Sequence, residues 1–268
     1  MNGLDIKDIG QIGTEFVVFG GPYSNLQATD ALFSACADRG LSADQLICTG
    51  DAVAYCGDPV AVLERLDGAC HWVAGNCERQ LAGGASDCGC GFETGSACDI
   101  WSAQWYRQAQ RALKAPHLAR MAQCPDIVTF QSGTLRCAAL HGGATDIAAY
   151  LWPSDPDRIF AQEMDALEQL VGRLDVVFAG HCGLAFERVT RGRRWINAGV
   201  IGLPPHDGRV QTRYVHFREG AAYIKRLSYD AQGAADALRA GGFPAPYAQA
   251  LLSGIWPSED VLPRALRR

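Results

Sequence analysis

The feature that most constrains this chain is a set of short hydrophobic runs, each closed by glycine or histidine and followed at once by polar residues able to bind metal. Gln45-Leu46-Ile47-Cys48 leads to Gly50-Asp51, and His71-Trp72-Val73-Ala74 leads to Gly75-Asn76-Cys77-Glu78. Residues 135–140 lead to His141-Gly142-Gly143, and residues 175–179 to Gly180-His181-Cys182-Gly183. Runs of that length and composition read as buried strands. In an open α/β sheet, residues just past the carboxyl ends of the strands converge on one crevice. An Asp, an Asn and two His delivered there from four strands compose a donor set for a metal ion.

The pattern between these points alternates strands with helices and then groups strands together. Residues 15–19 read as the first strand, broken by Gly20-Gly21-Pro22 and followed by a helix over 25–39 that Gly40 stops. Asp58-Pro59 and Asp155-Pro156 each pair an N-cap with a proline at the first helical position, opening helices to 67 and to about 172. Residues 81–95, rich in Gly and Cys, read as a long loop, and 98–115 and 117–123 as helices. Residues 127–130 pair with the Cys137 strand across Ser132-Gly133. Strands over 194–197, 212–217 and 222–227 then follow one another across short turns, which suggests mixed sheets. A helix pair, 231–240 and 244–253, completes a chain that shows no repeat or low-complexity linker and reads as one domain over 1–268.

Composition excludes some functions. The chain has 268 residues, 48% hydrophobic and 20% charged, with a net charge of −5. That charge offers no field for nucleic acid or an anionic membrane. No apolar run approaches the length of a bilayer span. The opening Met1-Asn2-Gly3-Leu4-Asp5 lacks the layout of a signal peptide, so the expected location is cytoplasmic. Eleven cysteines form no Cys-x-x-Cys pair, which signals neither a disulfide framework nor a zinc ribbon. Cys36, Cys48, Cys70, Cys124 and Cys137 read as small core residues. The Cys88, Cys90 and Cys98 cluster reads either as thiols in a loop covering the pocket or as ligands of a metal.

The order and spacing of these motifs resemble the calcineurin-like metallophosphoesterases, specifically their small bacterial branch. That family carries Asp-x-His near the start, then Gly-Asp, Gly-Asn-His-Asp/Glu, a lone His, and Gly-His-x-His. Residues 20–32 resemble the first loop and helix, 50–60 the second motif, and 197–202 the Asn-Pro-Gly-Ser segment. The resemblance implies a four-layer αββα sandwich, with two mixed sheets flanked by helices and a two-metal centre. The departures fall on one side of that centre. Gly21 and Tyr23 stand where the first motif has its metal-binding Asp and His, and Gly183 stands where the last motif has its second His. Asp51, the former bridge, remains with Asn76, His141 and His181 as ligands of the other metal, which implies one divalent transition metal (Mn, Fe or Zn) and a lost second site.

A single metal still polarises a phosphoryl oxygen, but it cannot bridge its nucleophile to a second cation. Cys77 stands where the family has a leaving-group histidine, and a thiol is a poor cation, though mostly protonated at neutral pH. Asp51 and Cys77 are therefore the candidate catalytic pair. Cys182, Glu78 and Tyr23 are further candidates: Glu78 as an orienting or helix-capping group, Tyr23 as a filler of the vacated site or a substrate contact. The expected function is hydrolysis of phosphate mono- or diesters, with a small phosphorylated substrate and the oligomeric state left open. Two alternatives stand beside it: a pseudoenzyme that binds a metal or small ligand for sensing or assembly, and non-phosphatase chemistry at one transition metal near cysteines. His71, His117 and His216 carry no partner signal, His206 stands in a turn near the pocket mouth, and Arg191, Arg193 and Arg194 read as a solvated turn.

Overall fold

The computed structural model describes residues 3–268. Its first sheet has six strands in the order β1 (Ile6–Gln11), β5 (Ile127–Ser132), β6 (Leu135–Leu140), β7 (Val176–Ala179), β9 (Arg193–Ala198) and β8 (Ala185–Thr190). The second has five, in the order β11 (Ala221–Leu227), β10 (Thr212–Arg218), β2 (Glu15–Phe19), β3 (Leu46–Cys48) and β4 (His71–Trp72). Both sheets are mixed. β2, β3 and β4 run parallel, as do β6, β7 and β9, so their carboxyl ends gather along one rim.

The sheets face one another because the strands alternate. Phe16 and Val18 of β2 point between the sheets and meet Phe130, Phe178 and Phe217, while Val17 and Phe19 point to the helices. Phe16 sits edge-on to Phe130 and Phe178 and stacks on Phe217 at 4.8 Å. Strands buried on both faces read as continuous apolar runs, which is how these appear in the sequence. Outside the second sheet lie α1 (Leu26–Ala37), α2 (Pro59–Leu66), α3 (Asn76–Gly83), α4 (Ala97–Ala112), α5 (Ala115–Ala122), α7 (Ala231–Ala240) and α8 (Ala245–Ser253). α6 (Asp157–Val171) covers the first sheet with Phe160, Met164 and Leu167. The result is the expected αββα arrangement.

Several elements differ from expectation. The first strand is β1, not β2: it is an exposed edge strand held by backbone pairing to β5, so burial leaves no pattern in its residues. Residues 76–83 are helical, and the loop begins only after Gly84 ends α3 in a left-handed turn. β8 is a further edge strand with charged residues interleaved. Pro156 rather than Asp155 caps α6, and Asp155 instead accepts from the Trp152 N–H at 2.7 Å. Arg193 and Arg194 lie in β9 and pair with Asp165, Glu168 and Glu187. All eleven cysteines are free, nine buried and two half-buried. Among the described residues no helix is long and apolar enough to cross a membrane.

Candidate metal centre

The rim where the parallel strands end holds a tightly built polar cluster. Gly50 follows β3 in a left-handed turn, and a Cβ there would lie 2.6 Å from the Gly75 nitrogen and 2.8 Å from His141 Nδ1. Only glycine lets β3, β4 and β6 close on one another at that point. Asp51 itself has φ +56 and His181 has φ +63, conformations that cost a non-glycine residue and concentrate at functional sites. Glu78 holds the first of these turns. Its carboxylate accepts from the backbone N–H groups of Gly75 (2.7 Å), Asp51 (2.8 Å) and Ala52 (2.8 Å). One side chain thus caps α3 and fastens the loop after β3 to it. Burial first, and the neighbouring Asp51 next, push its carboxyl up to about 7, partly offset by those N–H donors.

Four acceptors meet in this cluster. His141 Nδ1 lies 2.6 Å from the Thr49 carbonyl, which can only accept, so Nδ1 bears a proton. Its Nε2 then faces His181 Nδ1 at 3.0 Å, Asn76 Oδ1 at 3.0 Å and Asp51 Oδ2 at 3.3 Å. Asn76 cannot turn its amide over, because Nδ2 already donates to the Cys88 carbonyl at 2.8 Å. The other Asp51 oxygen accepts from the Cys77 N–H at 3.2 Å. Lone pairs crowded this closely in a buried site need a proton or a metal ion between them. Without metal, a proton on His141 Nε2 serves. Burial opposes it, yet Asp51 raises His141 above the usual histidine range. Burial would also raise Asp51, but His141 holds it at about 2, and burial and then His141 hold His181 at about 3.

A metal ion answers the same need. Ligands about 2.1 Å from an ion stand about 3.0 to 3.4 Å apart in octahedral or tetrahedral geometry, and the three separations at His141 Nε2 fit that range. Asp51, His141 and His181 are the one group of three His, Cys, Asp or Glu residues among those described that brings its ligand atoms within 4.8 Å of one another.

Beside this cluster, around Gly21 and Gly183, the space is filled with side chains. A side chain on Gly21 would start 2.6 Å from Tyr23 Cζ and 2.6 Å from Val200 Cγ1. A side chain on Gly183 would start 3.0 Å from Trp256 Cζ2. Trp256 is anchored at both nitrogens, its N–H donating to His206 Nδ1 at 2.8 Å and its Nε1–H to the Pro204 carbonyl at 2.6 Å. His206 in turn donates from Nε2 to Glu259 at 2.8 Å. The Tyr23 and Trp256 rings thus leave no room for a side chain at Gly21 or Gly183.

No protein-family profile matches the chain, and no curated protein matches its sequence. Among solved structures it is similar to a metallophosphoesterase from Sphaerobacter thermophilus, with a TM-score of 0.70 and 21% identity over 91% of this chain and 100% of that one. It is similar also to a hypothetical protein from Pyrococcus horikoshii OT3, with a TM-score of 0.70 and 14% identity over 90% and 99% of the two chains. The fold is that of the metallophosphoesterases.

Within that fold the cysteines divide into two groups. Cys77, on the first turn of α3, lies beside Cys90, whose thiol points to the Cys88 carbonyl at 4.0 Å. Cys90 Sγ also accepts from Asn76 Nδ2 at 3.3 Å. Cys98 lies against Ser258, and both line the pocket beside the centre. Cys182 accepts from Asn197 at 3.3 Å, points to the Leu184 carbonyl, and is pushed up to about 12 by burial. Burial likewise raises Cys77, so it remains a thiol at neutral pH. Of the other histidines, His117 accepts from the Lys114 N–H at 3.1 Å and His216 pairs with Glu15 at 2.8 Å, both away from the centre. Trp256, Tyr55, Tyr150 and Tyr247 were not among the sequence candidates. The aromatic residues of the chain carry no local mark of which ones face a site.

Proposed function

We propose that this protein hydrolyses phosphate mono- or diesters at a single divalent transition metal ion (Mn, Fe or Zn) held by Asp51, Asn76, His141 and His181. The observation that carries this reading is the convergence of four acceptor atoms on one buried point, at 3.0, 3.0 and 3.3 Å from His141 Nε2. When bound, a divalent ion supplies a positive charge that polarises a phosphoryl oxygen and acidifies water. The chain does the rest. The Thr49 carbonyl sets the tautomer of His141, the Cys88 carbonyl sets the amide of Asn76, and the Cys77 N–H and Glu78 hold Asp51 in place. Such orienting groups fix ligand geometry and metal affinity. Cys77 stands where a leaving oxygen would need a proton and offers a neutral thiol, a weaker donor than an imidazolium. Turnover slower than that of a two-metal site is the consequence.

Elemental analysis of the purified protein should find about one metal per chain, and mono- or diester hydrolysis should follow that metal. Asp51→Ala and His141→Ala are expected to lose both the ion and at least about a hundredfold in rate. Two metals per chain would refute the single site, and unchanged hydrolysis in either variant would refute the ligand set.

A further inference from the structure

On the side of the centre where ligands are missing, a pocket opens under the C-terminal segment. Its wall is aromatic, built from Tyr23, Tyr55, Phe92, Tyr150, Tyr247 and Trp256 and completed by aliphatic and small residues. No Asp, Glu, Lys or Arg lines it. The rings hold one another: Tyr23 meets Tyr55 edge-on at 4.7 Å, Tyr247 packs on Tyr55 at 4.9 Å, and Tyr150 lies 4.3 Å from the His181 ring. Their mutual packing preforms the cavity before any ligand arrives. Burial keeps all four phenols neutral, and their hydroxyls enter no side-chain hydrogen bond among the described residues. His181 belongs to both places: Nδ1 faces His141, while the ring lines the pocket and its buried Nε2 has no hydrogen-bond partner.

These walls are matched to one kind of group. A phosphate gains nothing from a chamber without a cation, because its charge would be desolvated without compensation. A flat ring gains apolar burial and edge or stacking contacts on every side. Phenol hydroxyls without protein partners suit a ring that carries hydrogen-bond acceptors. We propose that this pocket binds a planar aromatic group bearing hydrogen-bond acceptors, as the ester arm of a substrate whose phosphate sits at the metal centre. Assigning that ring to a substrate rests on the hydrolase reading above, whereas its binding does not.

Phenylphosphonate and methylphosphonate share a headgroup and differ by the ring, and phenol offers the ring alone. Each is titrated into the wild-type protein, with zinc and after chelation, and followed by tryptophan fluorescence and calorimetry. Phenylphosphonate should bind about tenfold or more tightly than methylphosphonate, and phenol should bind the chelated protein as well. Val200→Trp and Leu203→Trp, which place bulk in the pocket, should remove the ring's advantage, with melting curves reporting that each variant is folded. Tyr247→Phe keeps the packing and should weaken 4-nitrophenylphosphonate a few-fold while sparing phenylphosphonate. Equal affinity for the two phosphonates in the wild type, or an advantage that survives in both tryptophan variants, overturns the proposal. Ring binding without hydrolysis of any aryl ester under any metal upholds the pocket and overturns the hydrolase reading.

Discussion

His141 carries the charge balance of the centre. Its Nδ1–H is committed to Thr49, so any change of charge takes place at Nε2, the atom facing the other three donors. Burial works against a charge there, and Asp51, the Thr49 carbonyl and Glu78 together outweigh it. A histidine raised in the folded state gives stability that is complete below its unfolded value near about 6.5 and is lost as pH climbs through the folded value. Glu78, lifted to about 7 by burial and then Asp51, weakens the fold as pH climbs from about 4.3 to about 7. His181, held at about 3 by burial and then His141, strengthens it as pH climbs from about 3 to about 6.5, so the two nearly offset below about pH 6.5. Asp51, held at about 2, gives stability that is present above about 3.9 and lost as pH falls from there through about 2. Chelated protein should therefore be most stable between about pH 4 and 6.5 and melt at a lower temperature at pH 8, as calorimetric scans would show. Metal binding takes the place of the Nε2 proton, so titration at about pH 6 in two buffers of different ionisation heat should reveal roughly one proton released per ion. A melting temperature that rises from pH 6 to 8 without metal would count against this charge balance.

At the scale of elements, the space beside the cluster depends on contact between the turn after β7 and the segment after α8. Gly183 has φ +81 and leaves no room beneath Trp256. Gly183→His, which places a side chain where Trp256 packs, should cost about 1–3 kcal/mol in denaturant unfolding. Combined with Trp256→Ala it should cost less than the sum of the two single changes, by about 1 kcal/mol or more. Simple additivity would mean that the ring does not crowd position 183. This contact was not legible in the sequence, because the partners belong to distant segments and Trp256 has no motif around it. The residues that converge at the rim were legible, since a glycine closing an apolar run is a local signal. α3 lies between these cases. Residues 76–83 offer few apolar positions and begin after glycine, and the cap from Glu78 draws on the loop after β3 as well as on its own first turn. A helix fixed by a neighbouring loop leaves little periodicity to read.

At the scale of the whole molecule, the layered architecture was readable because each central strand is buried on both faces. Phe16 and Val18 serve the space between the sheets, Val17 and Phe19 the helical layer, and the run shows as unbroken hydrophobicity. The edge strands β1 and β8 escaped notice because backbone pairing, which leaves no mark in side chains, holds them. The same thorough burial fixes the chemistry of the thiols. Nine of the eleven are enclosed, and only Cys70 and Cys98 are half-open. An aromatic disulfide reagent should thus titrate no more than about two thiols promptly in the native protein, with the others reacting at the rate at which their surroundings open. Immediate reaction of all of them would contradict the packing described here. Distributed from Cys36 in α1 to Cys182 beside the centre, these sulfur atoms make the chain its own clock for how often each part of its interior meets water.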